Sequence, residues 1–121
     1  MKIFKCKKCG NIIYAVNEKN TVVCCGEEMT ELKAGEVDAA QEKHVPVVEV
    51  NDKTVDVNVG EVDHPMTEEH YIEFIVIESN KGVRFNKLTP EDKPHTSFVL
   101  DDGEELLNTY AYCNLHGLWK A

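Results

Sequence analysis

The chain has no apolar run approaching the roughly 20 residues that cross a bilayer as a helix. Its opening, MKIFKCKKCG, lacks the apolar stretch of about 7–15 residues that a secretory leader needs. Both absences lead to the expectation of a cytoplasmic protein that spans no membrane. Positive charge is scarce as well: 13 Lys and Arg stand against 22 Asp and Glu, a formal net charge of −9. That balance disfavours nucleic acids and anionic membrane surfaces as partners, because both are polyanions. No amphipathic helical stripe is present. At 121 residues the chain has room for about one ordinary domain, or one domain with a small appendage.

Cysteine is present in an odd number, five, arranged as a C-x-x-C pair (Cys6, Cys9), an adjacent pair (Cys24, Cys25) and a lone Cys113. In a reducing compartment such a set reads as metal ligands rather than disulfides. The charge is uneven too. Residues 1–35 carry six lysines against four acidic side chains, whereas residues 36–121 carry seven basic and eighteen acidic ones. The shift places a boundary near Thr30 to Gln41, a stretch without large apolar clusters that reads as a linker. Two domains are therefore expected, 1–35 and 36–121.

A segment of about 35 residues is below the size at which a hydrophobic core usually suffices, so a metal staple is expected. Cys6, Cys9, Cys24 and Cys25 supply four thiolates for one tetrahedral ion, and softness alone allows iron or zinc. Gly10 and Gly26 each follow a cysteine pair, where a positive φ turns backbone N–H groups back toward sulfur. Neighbouring Cys24 and Cys25 share one peptide link and should distort the site. A structural zinc ribbon is the duller alternative.

The second segment reads as strands. Val45 and Val47, then Val55, Val57 and Val59 against Thr54, Asp56 and Asn58, alternate with period two, and Tyr71 to Ile77 is a dense β-branched run. Asn80-Lys81-Gly82 and Asp101-Asp102-Gly103 are turn signals, with Val83 to Leu88, Thr96 to Leu100 and Leu106 to Cys113 as further strands. Short strands at this spacing predict an all-β chain whose larger part is an immunoglobulin-like antiparallel β-sandwich, with ligands on loops and strand ends.

Those ligands are His44, His64, His70 and the closing Cys113-Asn114-Leu115-His116. A C-x-x-H step puts a thiolate and an imidazole on one tight turn, and four imidazoles with one thiolate leave a sixth position open, as a reactive metal needs. The residues CKKCG and CCGEEM, fourteen residues apart, resemble the desulforedoxin module, which binds one iron in four cysteines. EKHVP at 42–46, HPM at 64–66, His70 and CNLHGLWKA at 113–121 resemble the neelaredoxin-like catalytic domain of superoxide reductases. Nearly end to end, the chain resembles the two-iron desulfoferrodoxin family.

That resemblance implies iron held by His44, His64, His70 and His116 with Cys113 as axial thiolate, and iron, with zinc as the alternative, in the four cysteines. It implies one-electron reduction of superoxide to hydrogen peroxide without dioxygen formation, electrons from rubredoxin or a similar carrier, and a homodimer. Glu42 and Lys43 take the catalytic roles: a glutamate there closes the sixth position of the oxidised iron. The lysine is the candidate for a positive entrance in a protein whose bulk charge repels superoxide. In ferrous form, four neutral imidazoles and one thiolate leave the site at a formal charge of +1, which attracts an anion.

Duller readings accompany each residue. Cys113 could be a small core side chain, His64 and His70 polar loop residues, and Glu42 and Lys43 a surface pair worth about 0–1 kcal/mol. His95 reads as an exposed loop residue and Trp119 as packing near the site. A blue-copper carrier is the first alternative function, but no methionine follows His116 and three histidines would go unused. The second is a non-enzymatic iron electron carrier or storage module.

Overall fold

The structure, a computed structural model, describes residues 1–17, 19 and 21–121. The chain divides into two compact units, Met1–Lys33 and Ala34–Ala121.

In the first unit, β1 (Lys2–Lys5) is flanked antiparallel by β2 (Ile12–Ala15) and β5 (Thr30–Leu32). A separate ribbon pairs β3 (Val23–Cys24) with β4 (Glu27–Glu28). Its core is slight: Ile3, Cys6 and Met29 are its buried hydrophobic residues. The expected linker is corrected here, because Thr30–Leu32 is a strand in register with β1, Leu32 lying opposite Ile3. The apolar partner across the ladder recruits a stretch whose own composition looks like a connector.

The second unit opens with one short helix, α1 (Gln41–His44), and continues as strands β6 (Pro46–Asn51), β7 (Thr54–Val59), β8 (Ile72–Ser79), β9 (Gly82–Lys87), β10 (His95–Val99), β11 (Leu106–Cys113) and β12 (Gly117–Lys120). They form two antiparallel sheets, β10-β7-β6 and β12-β11-β8-β9, the three-plus-four arrangement of an immunoglobulin-like sandwich. The alternation in β7 does what its period dictates, burying Val55, Val57 and Val59 completely. They pack with Ile72, Ile75 and Ile77 of β8, Phe98 of β10, and Ala111 and Cys113 of β11. At about 25 cal/mol per Å² of apolar surface, each such valine or isoleucine contributes about 1.5–3 kcal/mol against exposure.

One further difference from the sequence reading is local. His95 begins strand β10 opposite Asn58 rather than sitting in a loop, and its Nε2 is 3.7 Å from Asp56 Oδ1. Trp119 lies within β12, paired with Ala111. The register with Asn58 sets the strand start at His95, and Trp119, buried against His44, packs near the site as the sequence reading has it. Among the described residues, no helix is long and apolar enough to cross a membrane.

Candidate metal centres

The first centre is made by two turns. Gly10 holds φ at +80 and donates its N–H to the Cys6 carbonyl at 2.9 Å, closing the C-x-x-C knuckle. Between β3 and β4 the two-residue loop is Cys25-Gly26, with φ of +53 and +77. Positive φ at both loop residues is the hairpin form that suits strand twist, and here it does something more. Successive side chains in an extended chain point to opposite faces, and the left-handed backbone at Cys25 swings its sulfur back beside that of Cys24. All four sulfurs lie within 4.8 Å of one another.

The sulfurs fit a metal. A regular tetrahedron with metal–sulfur bonds of about 2.3 Å has edges of about 3.8 Å; Cys9–Cys24 measures 3.7 Å and Cys24–Cys25 4.0 Å. The edge between the adjacent pair is the longer of these two, as their shared peptide link requires. Backbone N–H groups of Cys9 and Lys8 aimed at Cys6 hold its thiol down at about 7. Hydrogen bonding with Cys9 and Cys6 pushes the Cys24 thiol up to about 12.

The second centre gathers residues from four places in the sandwich. His44 ends α1, His64 lies in the loop after β7, His70 precedes β8, and Cys113 and His116 flank the turn from β11 to β12. One ligand atom from each of His44, His70, Cys113 and His116 falls within 4.8 Å of the others, and His64 adjoins them with its Nε2 3.2 Å from that of His44. The four rings form a square. Neighbouring centroids are 4.6–5.0 Å apart with planes near perpendicular, and His44 and His70 face each other across the diagonal at 6.3 Å.

Nitrogen spacing fits ligands of a single metal ion. With metal–imidazole bonds of about 2.1 Å, ligands at right angles are about 3.0 Å apart and tetrahedral ones about 3.4 Å. His44 Nε2 is 3.1 Å from His116 Nδ1 and 3.2 Å from His64 Nε2, within the range that ligands of one ion span. His70 Nε2 is buried with no hydrogen-bond partner, an orphaned polar atom that suits a metal ligand. Cys113 is wholly buried in the core while His70 and His116 are half-buried. The thiol therefore reaches the cluster from the interior, and solvent reaches it from the histidine side.

Outer contacts fix two of the rings. His44 Nδ1–H donates to Ala40 O and His64 Nδ1–H to Pro65 O, both at 2.7 Å, which leaves each Nε2 as a lone pair facing inward. Burial lowers the proton affinity of His44, His64 and His70, that of His64 to about 4, so the rings are neutral and ready to ligate at pH 7. Burial pushes the Cys113 thiol up; a cation must displace its proton. Trp119 stacks on His44 at 5.0 Å and donates Nε1–H to His116 O at 3.0 Å.

Sequence reasoning missed Asn114. Its Oδ1 accepts from Tyr71 N at 3.0 Å and its Nδ2 donates to Glu69 O at 3.0 Å, pinning the His70 loop to the Cys113–His116 turn. Its place inside C-x-x-H was the available signal. The carbonyls of Ala40 and Pro65 had none, since any residue type offers one.

Glu42 and Lys43 are exposed on α1. Glu42 lines a cleft of about 530 Å³ with Gln41, Val45, Pro46, Val47 and Glu61, and its carboxylate is not among the converging ligand atoms. The Lys43 charge reaches the rings, adding to burial in lowering the proton affinity of His44 and His70.

The family model for desulfoferrodoxin matches residues 36–121, and that for the desulfoferrodoxin N-terminal domain matches residues 1–32. A desulfoferrodoxin of Syntrophotalea carbinolica is 43% identical over 122 residues, covering 100% of this chain and 95% of that protein. The crystal structure of the superoxide reductase from Treponema pallidum superposes with a TM-score of 0.84 at 37% identity, covering 99% of this chain and 97% of that one. A superoxide reductase (1Fe-SOR) from Giardia intestinalis gives a TM-score of 0.56 at 33% identity, covering 66% of this chain and 95% of its own.

Proposed function

The chain belongs to the desulfoferrodoxin family, and from that membership and the site's chemistry we propose that it is a superoxide reductase. It reduces superoxide by one electron, taking up two protons to give hydrogen peroxide, and forms no dioxygen. The family's two iron sites correspond to the four-cysteine cluster and the histidine–cysteine group. The observation that carries the reading is the square of four imidazoles closed by a buried thiol on one side. That donor set leaves one side for a small anion, whereas the four-cysteine shell is full.

His44, His64, His70 and His116 hold the catalytic iron with Cys113, and Cys6, Cys9, Cys24 and Cys25 hold the other. When bound, the catalytic iron supplies the electron. The protein's own groups do the rest: the carbonyls of Ala40 and Pro65 keep two ring tautomers fixed, and Lys43 offers a positive charge beside the histidines to draw in the substrate. Glu42, one residue further from His44, is the carboxylate that turns inward to cover the open side of the oxidised centre. Residues 1–35 serve as the desulforedoxin-like module and 36–121 as the catalytic domain. Electrons come from rubredoxin or a similar small carrier, and the protein acts as a cytoplasmic homodimer. Five unpaired cysteines support a reducing compartment.

Iron and zinc quantification coupled to optical spectra during stepwise reduction tests the assignment. Two irons per chain reducing at different potentials agree with it; copper in the histidine site, or no iron there, contradicts it.

A further inference from the structure

The loop between β7 and β8 carries His64, but its first residue has a separate constraint. Gly60 is buried and holds φ at +90, a backbone form that side chains rarely adopt. A Cβ built on it would lie 2.3 Å from Val62 O, 2.7 Å from Glu42 O and 2.8 Å from Lys43 Cα. All three are backbone atoms, so no side-chain rotation relieves the overlap. The other six glycines differ: five have nothing within 4 Å of such a Cβ, and Gly117 meets only Val37 Cγ2 at 3.4 Å.

Hydrogen bonds hold the approach in place. Val62 N–H donates to Glu42 O at 3.0 Å, and His64 N–H closes the loop on Val59 O at 3.1 Å. Asn58 Nδ2 braces the loop from beneath, donating to Gly60 O at 3.1 Å and to Asp63 Oδ1 at 2.8 Å. We propose that Gly60 and Val62 form a backbone seat for the Glu42–Lys43 turn, so that the missing Cβ at residue 60 sets how closely Lys43 stands to the histidine cluster. The proposal rests on the reading above in one respect, that Lys43 draws an anion to the site. Gly60 is a positioning residue; it touches neither substrate nor metal.

A turn-forming glycine needs only its φ, whereas a seat needs the empty Cβ position as well. Gly103 separates the two, since it has φ of +73 and open space around it. The test uses the iron-loaded full chain, with azide as a stable monovalent anion titrated optically across a salt series. In Gly60→Ala, with iron content retained, azide binding weakens by about 3-fold or more and its salt dependence flattens. Adding Lys43→Ala to that variant costs less than half of what it costs alone, because the two act through one contact. Gly103→Ala changes neither quantity. Native azide affinity in Gly60→Ala, additive effects of the two substitutions, or an azide affinity indifferent to Lys43 overturns the proposal. Should Gly60→Ala not fold, Asn58→Ala decides: amide exchange at Val62 speeds up and azide weakens with it, and faster exchange with unchanged azide affinity overturns the seat. Superoxide turnover is read separately, so a protein that binds azide as described yet reduces no superoxide defeats the functional reading alone.

Discussion

His44 and His64 face each other through their Nε2 atoms at 3.2 Å, while each ring spends its Nδ1–H on a backbone carbonyl, Ala40 O and Pro65 O. With the tautomers fixed in this way, both facing nitrogens carry lone pairs and neither has a proton to share. The contact is favourable only with a cation beside it. The nearness of these two rings is the arrangement that two ligands of one metal ion adopt.

Cys113→Ser removes the ligand that approaches from the core. The iron-loaded variant should lose its thiolate-to-iron absorption and nearly all superoxide reduction, while the four-cysteine chromophore stays intact. A hydroxyl at a fully buried position also costs about 1–3 kcal/mol if it finds no partner. Retained activity in an iron-replete Cys113→Ser protein would remove Cys113 from the site.

Replacing Cys6 and Cys9 together by Ser separates the two centres. The first unit buries few apolar side chains, so losing its metal should unfold it. Superoxide consumption with an artificial electron donor should survive. Loss of activity with the catalytic iron still fully loaded would make the first metal part of the obligatory electron path.

The sandwich and the histidine and cysteine side chains that the structure gathers were legible because both have periodic or spaced signatures. Val55, Val57 and Val59 announce a half-buried strand, and the C-x-x-H step at Cys113 and His116 announces a ligand pair. What stayed hidden depends on partners distant in sequence. Thr30–Leu32 becomes a strand only because β1 is there to pair with it, and the four-residue α1 is too short to show a stripe. Asn114 and Gly60 act through backbone atoms of other segments, which leave no mark on residue type.

Lys43→Ala tests the entrance. For an ammonium placed about 6 Å from an incoming anion, the attraction would be about 0.7 kcal/mol at a dielectric of about 80 and about 2.8 kcal/mol at about 20. The bimolecular rate should fall by about 3-fold to about 100-fold, and the gain in rate at low ionic strength should shrink. Pulse radiolysis across a salt series measures both; an unchanged rate and slope would return Lys43 to the ordinary surface charges.

Glu104 gives the acid dependence of stability. Its carboxylate accepts hydrogen bonds from Ser79 Oγ, Asp101 N and Arg84, and these hold its proton affinity below the usual value of 4.5. A lowered folded value means the unfolded chain binds the extra proton first, so this stability is complete above about 4.5 and drains as pH falls below it. Glu104→Gln should be less stable than the native protein at pH 7, with the gap narrowing toward pH 3 in denaturant titrations. A gap that stays constant across that range would mean the carboxylate charge contributes nothing.

The central claim is that this site reduces superoxide without also oxidising it, and product stoichiometry tests it most directly. Fully reduced, iron-loaded protein supplied with an electron donor is given a known pulse of superoxide, and hydrogen peroxide and dioxygen are measured together. One hydrogen peroxide for each superoxide consumed, with no dioxygen, is the expected yield. One hydrogen peroxide and one dioxygen for every two superoxide ions, the yield of a dismutase, would contradict it.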